Sequence, residues 1–193
     1  MKNKQKFSVM LSAMLVLLVG LSIAYAALST TLNVTVGEVG NGGGLTWNVG
    51  FTGSSASATA GGTSGTGRSC GTATITAGAV TVADTTLSKP GDSCRYTLTI
   101  KNNGGIAAKL KTITPTKPSD ATCGTLSGGT MVCGNITYKL ASNTGGTVLT
   151  TGGTLNPSAT LTVYLFIEYT GTSLNSTAVT QSGAKFSILY EQA

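Results

Sequence analysis

Six carboxylates and four thiols are the groups with most chemistry to offer in this chain of 193 residues, which contains no histidine. The acids are Glu38, Asp84, Asp92, Asp120, Glu168 and Glu191, and no two are close in sequence. Paired carboxylates hydrolyse glycosidic bonds, one as acid and the other as nucleophile or base. That chemistry needs Glu168 to meet Asp84 or Asp92 in space. The plainer expectation places Glu168 on a strand face beside solvent or a lysine. Asp92, within Pro90-Gly91-Asp92-Ser93, reads as a turn residue. The missing histidine removes the Ser-His-Asp triad, His-ligated zinc and most acid–base catalysis in its usual form. No Asp-x-Asp-x-Asp loop is present for calcium. Gly40 to Gly44 lacks the helix pattern and the Lys-Ser/Thr of a phosphate loop, and reads as a turn or hinge. We therefore expect no catalytic residue, no metal site and no cofactor.

The thiols are Cys70, Cys94, Cys123 and Cys133. An even count in an exported chain reads as disulfides, with three connectivities open. Cys123 and Cys133 bracket a Gly-rich stretch that can close locally, which leaves Cys70 for Cys94. A zinc site would need four thiolates from unrelated loops, without any Cys-x-x-Cys. Trp47 and Phe51 have the side chains for ligand stacking, but they share one strand face with Leu45 and Val49, which points to core packing. Asn33, Asn135 and Asn175 begin glycosylation sequons that a Thr-rich chain produces by chance. They are assigned no role.

These residues must be positioned after export. Lys2, Lys4 and Lys6 precede an uncharged run from Phe7 to Ala26 that ends in Ala24-Tyr25-Ala26. A basic start, an apolar stretch and a small-x-small site make a signal peptide, cut between Ala26 and Ala27. Uncleaved, residues 7–26 are long enough to anchor the chain in a membrane, its one membrane contact. Cleavage leaves residues 27–193 as a single domain of 167 residues with nine bases and six acids. The bases are scattered and not interleaved with aromatics, so no nucleic-acid partner is expected.

Thr contributes 34 residues and Gly 27, while charged residues make up only 9%. β-branched residues separated by turn formers argue for strands over helices. Alternation is clear at residues 30–36, at Trp47–Phe51, at Tyr96–Ile100, at Ile136–Leu140, at Leu161–Tyr169 and at Ala184–Tyr190. Residues 159–169 form the strongest strand, central and partly covered on both sides because Tyr164 and Phe166 back its apolar face. Residues 52–71 read as a mobile loop or weak edge hairpin, and Pro115 to Ser119 as a loop. Nine or ten short strands predict an all-β protein, an antiparallel β-sandwich of jelly-roll or immunoglobulin-like type.

The first mature strand begins almost at the cleavage site, and the Gly-rich 37–44 turn ties it loosely to the body. In residues 27–36, Leu28, Leu32, Val34 and Val36 give a donor strand able to pair with an exposed sheet edge. Head-to-tail repetition of that contact yields an open filament. The bland alternative is that the strand pairs within its own sandwich.

The segment Gly20 to Thr35 resembles the exported β-proteins of Gram-positive bacteria that depend on the SipW-type signal peptidase. Leu87-Ser-Lys-Pro-Gly-Asp-Ser-Cys-Arg-Tyr-Thr-Leu-Thr-Ile-Lys-Asn-Asn-Gly-Gly105 is similar to a segment of the TasA/camelysin family. So are Leu155 to Tyr169 and Gln181 to Tyr190, which look like that family's last two strands. The resemblance implies a secreted biofilm-matrix fibre subunit that polymerises by donating residues 27–36. The implied partners are other copies of itself, the signal peptidase during export, and other matrix or surface proteins. Camelysin members are described as metalloproteases, an activity that a chain without His-Glu-x-x-His does not inherit. The four cysteines and the Gly/Thr-rich 52–78 stretch depart from the TasA pattern. The alternative function is a monomeric or membrane-anchored surface binding module.

Overall fold

The computed structural model describes residues 46–62, 68–119, 121–172, 179–181 and 183–193. All regular structure among them is β. The strands are β1 Val49–Thr52, β2 Ser55–Ala56, β3 Ala58–Gly61, β4 Ala73–Thr76, β5 Ala79–Val82, β6 Thr85–Leu87, β7 Ser93–Asn102 and β8 Ala108–Thr116. They continue as β9 Cys123–Ser127, β10 Thr130–Cys133, β11 Ile136–Ala141, β12 Thr154–Leu155, β13 Thr160–Tyr169, β14 Val179–Gln181 and β15 Lys185–Gln192.

Two antiparallel sheets form the sandwich that the alternation predicts. One runs β1-β7-β13-β11-β10-β9, with β3 sharing the β1 edge of β7; the other runs β12-β8-β15-β5-β4-β2. A small β14–β6 pair lies apart. Inward residues of the first sheet, among them Tyr96, Leu98, Ile100, Val163, Leu165 and Ile167, meet Val80, Leu110, Ile113, Phe186 and Ile188 of the second in one buried core. Period-two alternation dictates this directly, since successive side chains point to opposite faces. Strand β13 is central, between β7 and β11. On its outer face Phe166 lies opposite Arg95 and Lys139 in register. The Lys139 ammonium stands 5.7 Å from the Phe166 ring centre, and the Arg95 guanidinium 6.0 Å from that of Tyr164. Aliphatic stems thus cover the outward aromatics while their charges stay near water.

Two local expectations are corrected, and a third is given its form. Residues 55–61 are neither a loop nor a hairpin: β2 pairs with β4 in one sheet, and β3 with β7 in the other. Composition hid this because two- and four-residue strands carry no apolar period. Pro115 lies inside β8, opposite Phe186 of β15. A proline is tolerated there because β8 is an edge strand at that point. The Gly-rich stretch between Cys123 and Cys133 is the β9–β10 hairpin, turning at Gly128–Gly129 with Gly128 at a φ of 52°.

Candidate assembly site

The cleavage residues Ala24, Ala26 and Ala27 and the donor residues Leu28, Leu32, Val34 and Val36 lie outside the described residues. The four cysteines form Cys70–Cys94 and Cys123–Cys133. The first ties the approach to β4, in one sheet, to β7 in the other. The second clamps the β9–β10 hairpin at register partners. Two disulfides fit an oxidising compartment outside the cytoplasm.

The acids that carried the catalytic question are separately engaged. The Asp92 carboxylate is buried at 1% exposure and accepts hydrogen bonds from the Ser88 N–H at 2.9 Å, the Ser88 hydroxyl at 3.0 Å and the Lys89 N–H at 3.1 Å. Burial works to raise its pKa. The Ser88 amide and hydroxyl, then the Lys89 amide and charge, outweigh that and hold it below the ordinary value of 3.8. Asp92 is therefore the knot of the 88–92 turn. Glu168 pairs with Lys139 at 2.7 Å on the outer face of the first sheet. Asp84 lies exposed. No two of these three carboxylates share a partner.

The edges of the sandwich are more informative. On one side the chain passes from β1 in the first sheet to β2 in the second and back to β3, closing the gap between them. This crossing is held by the Phe51 N–H on the Ala77 carbonyl at 2.8 Å and the Ile75 N–H on the Ser54 carbonyl at 2.9 Å. It requires Gly50, whose added Cβ would stand 2.4 Å from the Ala77 oxygen. On the other side the sheets end in β9 and in β12 with β8. Strand β9 is exposed from Gly124 to Ser127, including Leu126 at 48%, so it does not overlie the core. Strand β8 does overlie it, through buried Ala108, Leu110 and Ile113. Its neighbour β12 covers only Ala108 and Lys109, and the Gly152–Gly153 backbone bonds Leu110. Among the described residues no strand runs along the outer side of β8 from Thr112 to Thr116. Strand addition requires free backbone groups and an apolar inner face; this edge offers both, less the N–H that Pro115 lacks.

At the start of this edge lies an apolar pocket of about 210 Å³, lined by Leu110, Leu149, Leu155, Leu161, Tyr190 and the backbone around Gly153. Gly152 and Gly153 bring no side chains to the end of the sandwich, so the leucines leave a space unfilled. Tyr190 is 1% exposed, and among the described residues its hydroxyl has no hydrogen-bond partner. Burial pushes its pKa up to about 12, so it stays a neutral donor. The indole N–H of Trp47 is also buried and without an acceptor among the described residues. Both donors sit at the same end. The Thr46 carbonyl accepts from the Gly105 N–H at 2.9 Å, and the Asn102 side chain joins that loop to Leu155 at 3.0 Å.

Trp47 and Phe51 pack as core residues. Sequence reasoning missed the pocket and the β8 edge. The legible signal was Gly152-Gly153 between Leu149 and Leu155, which it passed over. Comparison of the chain with family models, curated proteins and solved structures returned no match.

Proposed function

We propose that this protein is an exported, non-enzymatic structural subunit that assembles into fibres at the cell surface or in an extracellular matrix. Each copy donates residues 27–36 to the β8 edge of the next. The observation that carries this reading is the β8 edge: among the described residues no strand pairs with its outer side from Thr112 to Thr116, and it is backed by the core, on a sandwich whose opposite side is closed by the β1–β2–β3 crossing. Three further points support it. The donor segment has an apolar face of matching period, the disulfides suit an oxidising compartment, and the sequence resembles TasA/camelysin proteins.

The test follows particle size against concentration by light scattering, with negative-stain electron microscopy of the product. The oxidised chain from Ala27 should form regular filaments. Removal of residues 27–36 should abolish them and leave a soluble sandwich. Filaments that persist after that removal would refute strand donation. A monomer at every concentration would favour a surface binding module instead.

A further inference from the structure

The place where the N-terminal segment is tethered raises a question that strand donation alone does not answer. Thr46 is fixed to Gly105, which lies five residues before Leu110 of the pocket. At strand spacing that is at most about 17 Å. Residues 37–45, Gly-rich in sequence, span at most about 30 Å extended. A flexible Gly-rich linker of that length has a root-mean-square span of about 15–18 Å. The segment is therefore attached at the same end as the pocket, on a linker whose natural span matches the gap. Tethering of this kind presents the segment to its own subunit at an effective concentration in the millimolar range. A neighbour's copy cannot match that in dilute solution.

We propose that before assembly residues 28–36 occupy the pocket and the β8 edge of their own subunit, and that a neighbour's segment must displace them. This rests on the strand-donation reading and adds its regulation: a self-closed monomer that opens by exchange. The polarity agrees. A segment leaving Thr46 puts Val36 nearest the pocket and Leu28 farthest along β8, which makes the pairing antiparallel, as every strand pair in both sheets is. The chemistry agrees as well. The pocket takes a branched aliphatic side chain of the Val34 and Val36 kind. The backbone carbonyls of an added strand offer acceptors at the end where the Tyr190 hydroxyl and the Trp47 indole N–H have none among the described residues.

The experiment uses a fluorescently labelled peptide of residues 27–36, titrated by anisotropy into the exported chain at concentrations where it is monomeric. The wild-type chain is compared with a chain carrying Leu32→Asp and Val34→Asp, whose own segment is unfit to seat in an apolar site. The peptide should bind the double variant at least about tenfold more tightly than wild type, which must first release its own segment. Adding Gly153→Leu, which fills the pocket mouth at a position with open space around an added Cβ, should abolish that binding; Leu161→Trp serves as a second pocket-filling variant. Equal binding to wild type and double variant would overturn self-closure while leaving strand donation standing. Binding that survives both filling substitutions would move the acceptor away from the pocket and overturn the proposal in that way. Binding to neither chain would remove the acceptor, and the reading of the preceding section would fall with it.

Discussion

Asn102 is fully buried yet polar, and the loop that holds Thr46 is organised around its side chain. Its amide donates to the Ile106 carbonyl at 2.8 Å and the Leu155 carbonyl at 3.0 Å, and its oxygen accepts from the Gly104 N–H at 2.9 Å. Gly104 has to be glycine there, because a Cβ would meet the Thr46 oxygen at 2.3 Å. Asn102→Ala strands two carbonyls and one amide away from water and should cost about 3 kcal/mol in chemical denaturation. Asn102→Asp should cost more, since it sets a charge against those carbonyls. The buried tyrosines carry a second prediction. Burial raises the pKa of Tyr96, of Tyr138 (to which the neighbouring Tyr96 adds) and of Tyr190, the last to about 12 against an ordinary 10.0. A group whose folded pKa is raised contributes stability that is fully present below its unfolded value and is lost as pH climbs past it. Stability should therefore fall from about pH 10 towards about pH 12, and tyrosinate absorbance should appear together with loss of the folded circular-dichroism signal. Asp92 acts in the opposite sense. Its contribution is present above the ordinary carboxylate value and is lost as acid takes the pH down through its depressed pKa.

Among the elements, β7, β13 and β15 were legible in the sequence because each is eight to ten residues long and half-buried. Their alternation survives any tertiary context. Strands β2 and β3 were not legible, since Ser55–Ala56 and Ala58–Gly61 contain no large apolar residue. They exist because the chain must cross between sheets at that side. Pro115 misled for a related reason: proline excludes a central strand position, and whether a strand is central is decided by neighbours far away in sequence. The disulfides divide by what they join. Cys70–Cys94 closes 24 residues of chain and links the two sheets, whereas Cys123–Cys133 closes 10 within one hairpin. Chain entropy gives about 3.5 kcal/mol for the first and about 3 kcal/mol for the second. Replacing Cys70 and Cys94 by Ser should thus lower the denaturation midpoint more than replacing Cys123 and Cys133. An equal or reversed order would show that the inter-sheet tie contributes little beyond its own strands.

At the scale of the whole molecule, the all-β sandwich could be read from composition and period, but the candidate site could not. The pocket depends on Gly152 and Gly153 arriving beside Leu110, a juxtaposition made by topology and visible in no window of residues. The proposed donor segment was the reverse case: its alternation was plain in sequence, whereas the β8 edge proposed to accept it is made by topology. The order of strands in the second sheet has one more consequence. Strand β15 lies between β8 and β5 and pairs with both, so β5 and β8 share a sheet only through it. Until β15 is in place, the inner face of the first sheet lacks the cover of Phe186 and Ile188. The β15 pairing of Lys185 with Thr81 joins residues far apart in sequence, and long-range pairing of this kind is slow. Until that step is complete, the slot between β5 and β8 is a place where a foreign strand can lodge.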